Sequence, residues 1–178
     1  KYNLMSDYTQ YTLTATAGQD SLIHIRKGEF CLNGHTITFN ENGNIRIEKG
    51  GTLNIDAGAT LAMLGSRYLI NSGGTLRIVG TEGNPATIQA AAVDNYYYIR
   101  QDSGKIYADN YCIEGTNGNG LNIVGGTIDE TYNFSNGMFS NSSGTALLTI
   151  GEKVVIGDGF KKIDNVSFNA RENKPKYN

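Results

Sequence analysis

The chain has 178 residues, a formal net charge of −2 and 39% apolar residues, the size of a single domain. That charge implies no strong attraction to nucleic acid or to an anionic membrane surface. Gly is abundant at 23, Pro numbers only 2, and the apolar residues recur regularly, which argues against disorder.

Residues 1–21 are the least patterned and are expected to form an N-terminal cap or partial coil. Tyr11-Thr12-Leu13-Thr14-Ala15-Thr16 alternates and fits a strand there. No secretory leader is read in the polar opening stretch. The regular part begins at Leu22-Ile23-His24-Ile25. Phe30/Leu32 and Ile37/Phe39 follow, with turns at Gly28 and Asn33-Gly34, and complete a first coil. The second coil carries Ile45/Ile47, Leu53/Ile55 and Leu61/Met63. The third carries Leu69 or Ile70, Leu76/Ile78 and Ile88. The fourth carries Tyr97/Ile99, Ile106/Ala108 and Ile113. The fifth carries Leu121/Ile123, Ile128 and Phe134 or Phe139. The sixth carries Leu148/Ile150, Val154/Ile156 and Val166/Phe168.

A repeated phrase underlies these coils. Gly50-Gly51-Thr52-Leu53-Asn54-Ile55 returns as Gly73-Gly74-Thr75-Leu76-Arg77-Ile78, and more weakly as Gly125-Gly126-Thr127-Ile128. Self-similarity at a period of roughly 20–50 residues marks a solenoid, and period-two alternation bounded by Gly and Asn marks strands. The middle-strand positions Leu53, Leu76, Ile106, Ile128 and Val154 are spaced by 23, 30, 22 and 26 residues. The variation belongs in loops, because stacked strands must keep register to share one core. The longest step places an enlarged loop near residues 90–96. The expectation is an all-β parallel β-helix of about six coils, each of three short strands, over residues 22–170. Residues 171–178 read as a polar tail or linker. No apolar run approaches the roughly 18 residues of a membrane span.

The quoted steps resemble the pectin-lyase-like right-handed parallel β-helix superfamily over about residues 22–168. They also resemble β-helix repeat regions of large secreted bacterial surface proteins, particularly Bacteroidetes-like ones. The resemblance implies right-handed winding. The family's hydrolases carry Asn-Thr-Asp, Asp-Asp and Gly-His-Gly motifs, and its lyases pair calcium-binding carboxylates with an arginine base. No such run is present. A fold does not fix an activity.

Register can still assemble a site. An outward column Asn54, Arg77, Tyr107, Asp129 runs beside Thr52, Thr75, Lys105, Thr127, Lys153. Arg77, Lys105, Tyr107 and Asp129 are therefore the candidate ligand-binding residues. Tyr offers a ring to a sugar face, and Arg and Lys meet acidic groups. The plainer reading is that exposed strand positions must be polar. Of Tyr96-Tyr97-Tyr98 at least one ring must face out, and Tyr111 is expected to join it. His24 points outward and His35 sits in a turn. Neither has an acid or thiol that register places beside both, so no metal or other cofactor is expected. Cys31 and Cys112 lie about three coils, or roughly 14 Å, apart, too far for a disulfide.

The expected function is a non-catalytic, extracellular β-helix module. It would be a rigid spacer or adhesive segment of a larger secreted or cell-surface protein, with flanking domains as partners. The alternative is a carbohydrate-active enzyme, lyase or glycoside hydrolase, or its glycan-binding part, acting on an acidic polysaccharide or cell-surface glycan.

Overall fold

Short runs that alternate apolar and polar residues bury one side of a strand and leave the other wet. The computed structural model describes residues 2–3, 10–13, 22–39, 43–157 and 163–169. The strands among them are β1 (Tyr2–Asn3), β2 (Gln10–Leu13), β3 (Leu22–Ile25), β4 (Gly28–Cys31), β5 (Thr36–Phe39), β6 (Asn44–Glu48) and β7 (Gly51–Ile55). They continue as β8 (Thr60–Met63), β9 (Tyr68–Val79), β10 (Ala86–Ala90), β11 (Tyr97–Glu114), β12 (Thr116–Ser140), β13 (Leu148–Ile156) and β14 (Val166–Asn169). Among the described residues no helix is long and apolar enough to cross a membrane.

Every pairing between these strands is parallel and joins one coil to the next. Three faces result. The first stacks β3, β6 and the opening segments of β9, β11, β12 and β13. The second stacks β1, β4, β7 and later segments of β9, β11, β12 and β13. The third stacks β2, β5, β8, β10, the ends of β11 and β12, and β14. The molecule is an all-β parallel β-solenoid of about five turns. Six coils were expected. Among the described residues the last set, β13 and β14, pairs with β12 alone and so leaves that end of the core open. Its inward side chains Ile150, Ile156 and Phe168 remain 43%, 43% and 39% exposed.

One apolar core runs down the stack. Leu53, Leu76, Ile106 and Ile128 are in register and wholly buried, as their spacing predicts. The column then continues to Ile156, not to Val154. The corner of the last coil is longer, with Ile123 opposite Ile150 but Gly125 opposite Lys153. Val154 and Ile156 are two residues apart and lie on the same side of the strand, so alternation alone does not distinguish them. Of the paired alternatives, Leu69 is buried and Ile70 is not, while Phe134 and Phe139 are both buried. The enlarged loop falls where expected, between β10 and β11, and lifts Val93 almost fully into solvent. Gln10 to Leu13 forms a strand against β5. Residues 14–21, expected in the N-terminal cap, and the expected polar tail at 171–178 lie outside the described residues.

Tyr111 departs from expectation. It is buried, and its hydroxyl donates to the Phe134 carbonyl at 3.1 Å. Its strand partners are Ala86 on one side and Gly137 on the other. A Cβ at Gly137 would fall 2.1 Å from the Tyr111 ring. Two small neighbours therefore open the room that draws the ring inward, edge-on to Phe134 and Phe139. Tyr97 is also buried, and its hydroxyl donates to the Ile88 carbonyl at 3.2 Å.

Burial holds both phenols well above their usual range. Burial, aided by Glu114, pushes the half-buried Cys112 thiol up to about 11. All three groups favour their neutral forms in the folded chain. The stability they lend is complete below the ordinary thiol and phenol values and is lost as the pH rises past them. The urea midpoint is expected to fall between pH 8 and pH 11. Tyr97 and Tyr111 should ionise only as the chain unfolds, which tyrosinate absorbance followed through the same transition will report. A midpoint flat across that range would contradict these burials.

Candidate functional site

The corner between the first and second faces is where the repeated Gly-Gly-Thr phrase lies. Inward positions there carry amides in place of apolar residues. Asn71 and Gln101 are both 0% exposed. The Asn71 Nδ2 group lies 3.3 Å from the Gly74 carbonyl, 3.1 Å from Gln101 Oε1 and 3.0 Å from the Lys105 carbonyl. Its Oδ1 accepts the Gly74 N–H at 2.9 Å. Gln101 in turn donates to the Gly125 carbonyl at 3.3 Å. This amide ladder ties three successive corners together. The chain can pass so closely only with glycine. Gly104 has φ +85°, and a Cβ there would meet the Gly74 carbonyl oxygen at 2.2 Å.

Outside this corner runs an open trough of about 500 Å³. Glycines floor it, and Thr52, Thr75, Lys105 and Thr127 edge it. These four are in register, as expected. The expected fifth member, Lys153, instead lies opposite Gly125, and Val155 takes its place. The register slip described above is the cause.

The neighbouring column begins as read, with Asn54 beside Arg77 and Arg77 beside Tyr107. It then changes. Ile106 pairs with Ile128 but Ala108 pairs with Asn133, so β12 bulges between them. Asp129 opens that bulge, and its Oδ1 accepts the N–H groups of Thr131 at 3.0 Å and Tyr132 at 2.9 Å. Tyr132 is brought round beside Tyr107, with ring centroids 6.2 Å apart. The Arg77 guanidinium carbon lies 4.6 Å from the Tyr132 centroid and 5.8 Å from that of Tyr107. Arg77, Tyr107 and Tyr132 thus form a cation–aromatic group, the kind of contact worth about 0.5–1 kcal/mol at an exposed site. Lys105 stands apart and exposed above the trough.

Asp109, Glu114 and Glu48 are turned to partners within the fold. Asn136 donates to Asp109 and Asn141 to Glu114. At the first coil, His24 Nδ1 lies 3.2 Å from Glu48 Oε1, and Arg26 Nε lies 3.2 Å from Glu48 Oε2. His24 is exposed and His35 is buried beside its turn. No group of three His, Cys, Asp or Glu side chains able to hold a metal occurs among the described residues. Cys31 on the second face and Cys112 on the third are not disulfide-bonded, and Asn54 Nδ2 donates to Cys31 Sγ at 3.4 Å.

The arrangement offers a cation and hydroxyls along one trough, and a packed aromatic group next to it. It suits binding of a polar, extended ligand. Sequence reasoning missed Tyr132, because the break of alternation at Glu130 reads as a strand end at Asp129 and not as a bulge within a continuing strand, and missed the Asn71–Gln101 ladder. The signal for the ladder was present: both amides occupy inward positions where an apolar residue is due. No protein family, curated protein or solved structure matches the chain.

Proposed function

We propose that the chain is a non-catalytic β-solenoid module, a rigid spacer or adhesive segment of a larger secreted or cell-surface protein. In this reading flanking domains are its neighbours, the winding is right-handed, and the pectin-lyase-like resemblance is one of architecture. One observation carries it. Arg77 and Asp129 on the candidate face are bound to the fold itself, Arg77 packed on two rings and Asp129 closing a bulge through two backbone donors. General acid–base work needs a group free to reach the reacting atom. Stacked coils give each strand the same neighbours above and below, and so a stiff rod.

The second reading is the glycan-binding part of a carbohydrate-active protein acting on acidic polysaccharide. Exposed Lys105 beside the trough favours it. The double variant Arg77→Ala/Asp129→Ala separates the two. The module reading expects no change in the behaviour of the chain toward acidic polysaccharides. Loss of binding or of cleavage in the variant would overturn it in favour of the second.

A further inference from the structure

The first face carries a groove that the candidate site above does not include. We propose that it binds a short segment of a neutral oligosaccharide. The inference rests on the adhesive arm of the proposed function and names its surface and ligand class; the spacer arm stands without it.

The groove encloses about 380 Å³, within the roughly 300–1,000 Å³ of small-ligand clefts. Alternation builds one wall. In β9 and β11, Leu69, Asn71, Tyr97, Ile99 and Gln101 turn inward, so Tyr68, Ile70, Tyr98 and Arg100 turn out. Tyr68 pairs with Tyr98, and Ile70 with Arg100. Two tyrosines therefore stand on adjacent coils, and Tyr98 is 49% exposed. A bulge builds the other wall. Tyr97 pairs with Thr116 and Ile99 with Leu121, so β12 spends five steps where β11 spends two. The extra residues carry Asn117 and Asn119 over the groove, and Asn122 follows in register with Arg100. The bulge is pinned from the next coil. Ser142 Oγ donates to the Asn117 carbonyl at 2.7 Å and Thr149 Oγ1 to the Asn119 carbonyl at 3.0 Å. A pinned backbone presents its side chains with little further ordering cost.

The chemistry selects the ligand. A tyrosine ring offers an apolar face to the C–H side of a pyranose and a hydroxyl at its edge. A primary amide donates and accepts at once, and so matches adjacent sugar hydroxyls, which do the same. Arg100 is the charged residue in the lining, and its Nε–H is given to Asp102. The groove thus has no unmatched charge for a uronate or sulfate. It lies on the outer face of strands already paired on both sides, so a peptide cannot add there as a further strand.

The test is isothermal titration with cellohexaose, xylohexaose, chitohexaose and, as the charged comparison, hexagalacturonate. The wild type is compared with Tyr98→Ala, Asn119→Ala and, on the second face, Arg77→Ala. At least one neutral hexasaccharide is expected to bind saturably. Tyr98→Ala should weaken it by about tenfold and Asn119→Ala measurably, while Arg77→Ala leaves it within about twofold. Unchanged thermal melts of the two groove variants would exclude misfolding as the cause. No binding of any neutral sugar, binding of hexagalacturonate alone, or unaltered binding by both groove variants would overturn the inference. Absence of all binding leaves the spacer arm intact, so the two fail separately.

Discussion

Replacing Asn71 by leucine is expected to destabilise the chain by about 3–5 kcal/mol, although leucine is nearly the right size and more apolar. Asn71 is fully buried and is the hub of the corner ladder. Its loss leaves the Gly74 N–H without the acceptor it meets at 2.9 Å and deprives the Lys105 carbonyl and Gln101 Oε1 of a donor. Each buried polar group left without a partner costs about 1–3 kcal/mol. Leucine recovers some of this through apolar burial, but less than the ladder supplies. Urea unfolding followed by far-ultraviolet circular dichroism should show the lower midpoint. The transition should also broaden, because solenoid stability is close to a sum of coil and interface contributions and only the contact between neighbouring coils is weakened. Asn122→Ala, on the outer side of the same face, should shift the midpoint little. Equal effects of the two variants would contradict the ladder's role.

The second large effect is expected at Gly104. An alanine there must adopt φ +85° with its Cβ 2.2 Å from the Gly74 carbonyl oxygen and 2.7 Å from the Gly73 carbonyl carbon. Both atoms belong to backbone in the adjacent coil, so neither can swing aside. A cost above about 3 kcal/mol follows, with strain and clash acting together. Gly83 supplies the matched comparison. It has φ +75° but nothing within 4 Å of an added Cβ. Gly83→Ala should therefore carry the left-handed strain alone, about 1–2 kcal/mol. Comparing the two midpoints separates conformational strain from close approach of the coils. Similar losses in both variants would show that the corner is looser than the Gly104 contact implies.

Much of this fold is written in short-range pattern. Alternation and the returning Gly-Gly-Thr phrase mark strands, corners and the column from Leu53 to Ile128, because burial of one face repeats with the pleat. Three features escape that signal for physical reasons. Ile128 pairs with Ile156, two residues beyond Val154 and on the same side of the strand, so alternation fits either partner. The inward turn of Tyr111 depends on Ala86 and Gly137, which are distant in sequence and adjacent only after stacking. The bulges after Thr116 and Ile128 read in sequence as turns or strand ends, as the break of alternation at Glu130 does, yet the strand continues through them and they bring Asn117, Asn119 and Tyr132 onto the two outer faces. At the candidate site, the register of Arg77, Lys105 and Tyr107 was legible, whereas the carboxylate of Asp129 proves to be engaged by the backbone of its own bulge. Inward Asn71 and Gln101 were visible as exceptions to the pattern, and such exceptions point to polar groups that hold the backbone.

The measurement that bears most directly on the central claim is a depolymerisation screen of this chain. It uses a panel of neutral and acidic polysaccharides, with and without calcium, and follows new reducing ends and unsaturated uronate absorbance. A module that holds or spaces without reacting predicts no rise in either signal on any polymer. Sustained release of reducing ends or unsaturated uronate from even one polymer, lost in Arg77→Ala/Asp129→Ala, would contradict the claim and place catalysis on the second face.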